Sequence, residues 1–472
     1  MKNKSIKQLA IVAASNISML ITGIIVGFII PKIFSVADYG YYKTYTLYIH
    51  YASIFSLGIV DGMILEYGKL DYQDLNKNSF RSLFSIYGTI QLVFSLIIIA
   101  ASLFMPTSAY AFIAVMLAVN LVITNITGYF TQISQFTMRF RELSLRTFLK
   151  AVITLVSVIC LFFLWKYEIY TVDYKGYLLV NTGIGFLLML WYLCTYRDIV
   201  IGCKAGFCDA RNNTSKLMKR GIPLLLANSC SNLLLVADRQ FVNLLFDNET
   251  YAKYSFAYTM LSLVTVMTSS VSTVLFPSLK RSDALSISKK YKSLITVLSS
   301  ISFLCMATYY PICMFVKWYL PKYIDSLQIF MVVFPTLAIS TVITVVINNY
   351  YKTLNQEKLF FTQCAITLLV SILANVVAYF LFKSTVAISV ASLLVTAAWY
   401  LVSDIKMQRQ LGISDYSCVA FMTLGTIAFF IISNIESYLA GFFIYTAVIA
   451  VLCVLFYRKE YCQIIRLFRT KK

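Results

Sequence analysis

Runs of about 20 apolar residues, the length that crosses the hydrocarbon of a bilayer as a helix, recur along this chain until almost nothing else is left. Fourteen can be counted, at approximately 8–30, 44–65, 82–105, 110–136, 147–165, 176–196, 222–246, 254–276, 294–316, 326–349, 359–382, 384–403, 416–435 and 438–457. A backbone in hydrocarbon must satisfy its polar groups internally, which a helix does within one segment. Only 13% of the residues are charged, against about 25% in an ordinary soluble domain, so no room remains for a soluble domain. The chain reads as an all-α integral membrane protein of about 14 transmembrane helices.

Orientation follows from the basic residues of the connections. With the N-terminus inside, 30 of the 40 Lys and Arg fall in cytoplasmic segments and 8 in outer ones, the remaining two being Lys150, at the inner end of a span, and Arg239. Acidic residues divide 11 to 7. Both termini are therefore expected in the cytoplasm, in a multi-pass membrane protein. The net charge of +20 is mostly this topological bias; nucleic-acid binding would need a basic face on a soluble module. The first run follows Lys2, Lys4 and Lys7 and lacks a small-residue cleavage site, so it is expected to remain as a spanning helix. None of the eleven cysteines lies in an outer loop, which argues against disulfides. Cys203 and Cys208 have no histidine partners for a zinc site.

A repeat organises the spans. After the first span the chain reads YGYYKTYTL, and after the seventh YAKYSFAYTM; Tyr39, Gly40 and Tyr42 align with Tyr251, Ala252 and Tyr254 at a constant offset of 212. Six spans separate the copies, so both enter the membrane in one direction, the pattern of a parallel repeat about the membrane normal. This divides the chain into a first six-helix bundle (1–200), a cytoplasmic linker (201–220), a second six-helix bundle (221–403), and two extra helices with a basic tail (404–472). Such paired bundles enclose a cleft and work by alternating access.

The segments IPKIFSVADYGYYKTY, LGIVDGMILEYGK, GIPLLLANSCSNLLLVADRQFVNLLF, YAKYSFAY, VLFPSLKR and KWYLPKY, in this order and spacing over residues 24–323, resemble lipid-linked oligosaccharide flippases. These are the Wzx-type, polysaccharide-transport branch of the MOP exporter superfamily. The resemblance implies a MATE-like fold. It also implies movement of an undecaprenyl-pyrophosphate-linked sugar repeat unit, a precursor of O-antigen, capsule or another polysaccharide, from the cytoplasmic to the outer leaflet. No cofactor is implied; the partners are the polyprenyl-pyrophosphate-linked oligosaccharide, membrane lipids and the polysaccharide polymerase machinery. Basic residues of the cleft would meet the pyrophosphate. The first two spans carry no deeply placed Lys or Arg, which leaves that role to Arg146 and Lys150 at the inner end of the fifth span, or to uncharged groups such as Asn16.

In the seventh span Asn228, Asn232, Leu235 and Arg239 are spaced 4, 3 and 4, which places them on one helical face. Such a face suits a wet cleft or a helix-packing seam. The eighth span has a stripe of Tyr258, Ser262, Thr265, Ser269 and Ser272 with the same two readings. An ionisable group within a span is a functional candidate by default. Asp238 and Arg239 point about 100° apart on a helix and each needs a partner elsewhere. Asp238 is either an ion-coupling site or a latch to Lys43 or Lys253. Asp61, in the second span, is a second ion-coupling candidate or a group reaching the headgroups. It lies roughly 15–20 Å from Arg239 in depth at 1.5 Å per residue. His50, the only histidine, is a relay or a packing residue.

An enzyme acting on outer-leaflet lipid would want a long outer loop, yet the outer connections are short, Lys166 to Lys175 being among the longest, and no Walker motif occurs. The alternative within the fold is a multidrug or cation exporter of the MATE type. It would want a carboxylate in the first span, where residues 8–30 hold no charge.

Overall fold

A computed structural model describes residues 2–68, 70–261, 284–354 and 356–469; side chains are described except at 2–14, 16, 207, 284–290, 352, 357 and 459–469. Every element among the described residues is helical. Among the described residues nine helices are long and apolar enough to cross a membrane, or eleven if each of two broken pairs is one span. The expected first and thirteenth spans correspond to shorter apolar helices, Ile17–Ile33 and Ser417–Ile432. The eighth, 254–276, falls largely on residues outside those described.

The chain divides into two compact units, Met1–Asn232 with Asp247–Ala252, and Leu233–Phe246 with Lys253–Lys472. The first contains α1 (Lys2–Ile33), α2 (Val36–Ile49), α3 (Ile59–Tyr67), α4 (Lys77–Ser102), α5 (Ser108–Phe136), α6 (Phe140–Lys166), α7 (Tyr174–Thr195), the single turn α8 (Arg197–Val200) and nearly all of α9 (Phe207–Leu234). Helix starts use short polar caps: the Asn76 and Asp173 side chains accept from the Ser79 and Gly176 amides, satisfying donors that the first turn leaves free.

The second span is not one helix. α2 passes through a 3₁₀ segment, His50–Ser56, to Leu57 (φ 51°) and Gly58 (φ 74°), and α3 leaves at 54°. Two successive left-handed residues cannot continue an α-helix, so carbonyls near the break lose their partners. Two of them are met from other helices. Gln91 of α4 donates to the Phe55 carbonyl and Asn125 of α5 to that of Ala52, both at 2.9 Å, and Asn125 also donates to Gln91 at 2.6 Å. Both amides are buried.

At this break α3 crosses α9 backbone against backbone. An added Cβ at Gly58 would stand 2.6 Å from the Ile222 nitrogen; one at Gly62 would strike the Leu217 carbonyl, and one at Gly221 the Gly58 carbonyl. Glycines four apart permit this approach. Glu66 of α3 pairs with Lys216, at 2.6 Å, and with Arg220 of α9. Residues 207–220, read from sequence as linker, are thus helical, with Leu217 in the core beside Met63, Phe80 and Tyr129. The two copies of the sequence repeat also touch within this unit: Asn248 donates to the Ala37 carbonyl at 2.7 Å and fills the space over Gly40, and Tyr251 donates to the Lys43 carbonyl.

The preceding residues form a strap across the end of α4. Asp198 pairs with Lys77 at 2.7 Å and accepts from Tyr72 at 2.7 Å, while Arg81 donates to the Asp198 and Cys203 carbonyls. Burial pushes the Asp198 carboxyl up, but the hydrogen bonds from Lys77 and Tyr72 outweigh it and hold the group below its usual 3.8. A depressed carboxyl stabilises the fold above its unfolded value and loses that contribution as pH falls through the folded one. The strap is therefore expected to hold at neutral pH and loosen below 3.8. Asp198→Asn should loosen it at pH 7, read as faster tryptic cleavage at Arg197 and Lys204; unchanged cleavage would show that Asp198 does not hold it.

The second unit contains α10 (Ala237–Leu245), α11 (described over 248–261, from 253 on in this unit), α12 (Ala284–Cys305), α13 (Tyr309–Tyr319), α14 (Ser326–Val342), α15 (Asn348–Thr353), α16 (Glu357–Phe382), α17 (Thr385–Leu411), α18 (Ser417–Ile432) and α19 (Tyr438–Arg469). α14 is its central helix, largely buried, and passes through a π-helical turn at Ile343–Ile347. The two helices beyond the repeat, α18 and α19, dock on α12 and α13: Tyr445 donates to the Phe303 carbonyl at 3.0 Å, and Gly441 lets α19 approach the Tyr310 ring.

Candidate functional site

The seventh span, read from sequence as one helix over 222–246, is also broken: α9 ends at Leu234 and α10 begins at Ala237. The 4-3-4 spacing therefore holds for Asn228 and Asn232 on α9 and does not carry through to Arg239, because the helical phase is lost at Leu235–Val236. Asn228 is half-buried and Asn232 exposed, and among the described residues neither side chain takes a hydrogen-bond partner.

Asp238 and Arg239 open α10. Asp238 is buried, and its carboxylate accepts from the hydroxyls of Tyr254, at 2.8 Å, and Tyr258, both on α11. Its other oxygen accepts the Arg239 amide at 2.7 Å, an arrangement that suits an anion in the first turn of a helix. Tyr254 also accepts from Ser389 of α17 at 3.4 Å. The half-buried Arg239 guanidinium lies over the Tyr258 ring, 4.5 Å from its centroid, and donates to the Leu235 carbonyl at 2.9 Å. Among the described residues its Nε takes no hydrogen bond. Tyr258 thus serves both neighbours, its hydroxyl on the acid and its ring face under the cation. The expected latch to Lys253 does not form: that ammonium pairs with Asp325 at 2.5 Å. Lys43 lies over the rings of Tyr39 and Tyr42.

In the first unit Asp61 lies in the first turn of α3, half-buried, just past the break. No ion pair or hydrogen bond from another residue's side chain reaches it among the described residues. Arg146 is 2% exposed. It donates to Thr195 at 2.7 Å, its Nη1 lies 3.6 Å from Glu142, and it stacks 4.2 Å over the Tyr192 ring; among the described residues Nε and Nη1 take no hydrogen bond. This burial between α6 and α7 differs from an open anion contact. Lys150, one turn on, is half-buried and has neither ion pair nor hydrogen bond among the described residues. The Asn16 side chain lies outside the described residues. His50 is exposed, its Nδ1 2.5 Å from the Thr46 carbonyl oxygen.

Sequence reading missed Tyr254 as a partner of Asp238, Ser389 behind it, and Gln91 and Asn125 at the break. It read Tyr258 only as a member of a hydroxyl stripe, of which Ser262, Thr265, Ser269 and Ser272 lie outside the described residues. The one available signal was the four-residue spacing of Tyr254 and Tyr258, which places two hydroxyls on one face. The cluster can hold a proton or a cation at the acid and an anion at the guanidinium. Among the described residues no group of three or more His, Cys, Asp or Glu could hold a metal ion.

A family model described as polysaccharide biosynthesis protein matches residues 5–283. No curated protein matches in sequence. The solved structure of a lipid II flippase, MurJ, in an inward closed conformation aligns with TM-score 0.68 at 13% identity, over 95% of this chain and 98% of that one. An inward-facing multidrug resistance MATE family transporter of the MOP superfamily aligns with TM-score 0.57 at 12% identity, over 84% of this chain and 94% of that one. An outward-facing one aligns with TM-score 0.55 at 10% identity, over 85% and 96%. At these identities the likenesses concern the fold. With more than half of its length matched by the family model, and with the helical fold of these transporters, this multi-pass membrane chain belongs to the polysaccharide biosynthesis protein family.

Proposed function

We propose that this protein is a flippase that carries a polyprenyl-pyrophosphate-linked oligosaccharide repeat unit from the cytoplasmic to the outer leaflet of a bacterial inner membrane by alternating access. The observation that carries this reading is the pairing of a polysaccharide-biosynthesis family match with a fold like that of a lipid II flippase. The chemistry at α10 agrees with it. Arg239, whose Nε takes no hydrogen bond among the described residues, meets the pyrophosphate, since a guanidinium keeps its charge and matches phosphate oxygens with two donors. Asn228 and Asn232 of α9, Asn16 of α1 and Lys150 of α6 contribute further polar contacts to headgroup and sugars, while the buried Arg146 packs α6 against α7. Asp238 and Asp61, each within or beside a broken helix, take the coupling ion or proton; half-helix ends are a recurring ion site in transporters.

The test is a purified protein in liposomes loaded with a fluorescent polyprenyl-pyrophosphate oligosaccharide, with outer-leaflet label read by chemical quenching. The expected result is protein-dependent equilibration of the label across the leaflets. Export of an organic cation by the same liposomes, with no movement of the lipid-linked sugar, would replace this reading with that of a multidrug exporter.

A further inference from the structure

The sequence singled out Asp61 and Asp238 as the charges within spans. The structure shows a further acid, fully buried, that plays no part in either role. Asp404, near the end of α17, is 1% exposed. One carboxylate oxygen accepts from the Tyr291 hydroxyl of α12 at 2.8 Å and the other from Gln408 Nε2 at 2.8 Å. No cation pairs with it among the described residues. It lies on a small, partly open cavity of about 20 Å³, room for a water, lined also by Tyr291, Lys292, Gln408, Asp415 and Tyr457. Lys292 and Asp415, 42% and 19% exposed, pair with each other at 2.6 Å at its rim.

We propose that Asp404 is a proton-exchange site, separate from Asp238 and Asp61, which titrates through this cavity and controls the turn between α17 and α18. The proposal does not depend on which substrate the protein carries.

A carboxylate removed from water with only neutral donors around it is costly as an anion, so a route to a proton matters. A metal cation needs oxygen lone pairs aimed at it. Here both neighbours aim donors at the acid, and Gln408 Oε1 is occupied by the Asp415 amide at 2.8 Å. The donor set therefore fits an exchanging proton. Among the described residues the titratable groups facing Asp404 are Tyr291 and Lys292 from α12, Tyr400 from its own helix, Asp415 and Cys418 from the turn and α18, and Tyr457 from α19. Asp415, in the turn outside the span, stays ionised: burial raises its carboxyl, but Lys292 and Ser417 outweigh this and hold it below 3.8. Asp404 is then the member of the group left to change state.

The readout is built into the same side chains. Gln408 holds the acid with Nε2 and holds the turn through the Asp415 carbonyl and amide, both at 2.8 Å. Protonating Asp404 weakens its hold on Gln408, and with it the seat of the α18–α19 hairpin.

The test uses the full-length protein in lipid nanodiscs and requires no transport. Infrared difference spectra between pH 5 and pH 8 should contain a protonated-carboxyl band that is lost in Asp404→Asn. Tyr291→Phe removes one donor to the anion and should raise the midpoint of that band, with a proton affinity greater by roughly tenfold. In a protein whose one remaining cysteine is Cys418, alkylation at pH 6 should be faster in Asp404→Asn than in wild type. Should the Asn variant not fold, Tyr291→Phe alone decides. A band present in Asp404→Asn, or a midpoint unmoved by Tyr291→Phe, overturns the proposal and leaves the flippase reading untouched.

Discussion

Gly221→Val is expected to yield little folded protein, and what is recovered should melt well below wild type. At this position a Cβ meets the Gly58 carbonyl of α3 and stands 2.5 Å from the Gly62 amide nitrogen. Both obstacles are backbone, so no rotamer change relieves them. Gly58 cannot retreat either, because its φ of 74° belongs to the break that α3 requires. Overpacking a tight core typically costs about 1–3 kcal/mol, and a β-branched residue at a backbone crossing belongs at the upper end. Gly88→Ala is the matched control: nothing lies within 4 Å of an added methyl there, and alanine favours a helix over glycine by about 1 kcal/mol. Thermal unfolding in detergent, followed by size-exclusion fluorescence, should place Gly88→Ala at or above wild type. A Gly221→Val protein melting with wild type would show that the α3–α9 crossing yields, and that its glycines do not set its geometry.

Arg239→Ala should lower transport of the lipid-linked sugar about 10- to 100-fold, the range expected from losing one hydrogen bond to a charged group, while protein levels stay near wild type. The guanidinium donates to Leu235 at a helix end and stacks on Tyr258, so part of its energy is structural. Arg239→Lys separates the two roles: it keeps the charge but loses the planar fork and the stacking, and should transport at an intermediate rate. The measurement is leaflet exchange in liposomes beside polymer display in cells that lack their own flippase. Transport by Arg239→Ala at the wild-type rate removes Arg239 from the proposed anion site. A loss of folded protein in both variants would assign it to packing alone.

How far the site could be read from sequence differs residue by residue. Asp238 and Arg239 stood out because charges in a 25-residue apolar run demand a reason. Their partners did not, since Tyr254 and Tyr258 come 16 and 20 residues later in a chain with 34 tyrosines. Asp404 escaped notice because a charge near the end of a span looks like a cytoplasmic one; only the packing of α12 and α17 reveals that it is buried. Lys253 was a plausible partner for Asp238 by depth, and lost to Tyr254 and Tyr258, which approach from the same helix α11 and leave the ammonium to Asp325.

The amino-acid sequence by itself determined that this chain is a stack of membrane helices, with candidate charges at Asp61, Asp238 and Arg239. Apolar length and composition are local properties, and the bilayer acts on them one segment at a time. Only the tertiary structure decided where helices break and which charges are satisfied. The span containing Gly58 reads as continuous because its freed carbonyls are met by Gln91 and Asn125, 36 and 73 residues away. A break in hydrocarbon persists only where another helix supplies the missing hydrogen bonds, and that supply is a property of the packed fold.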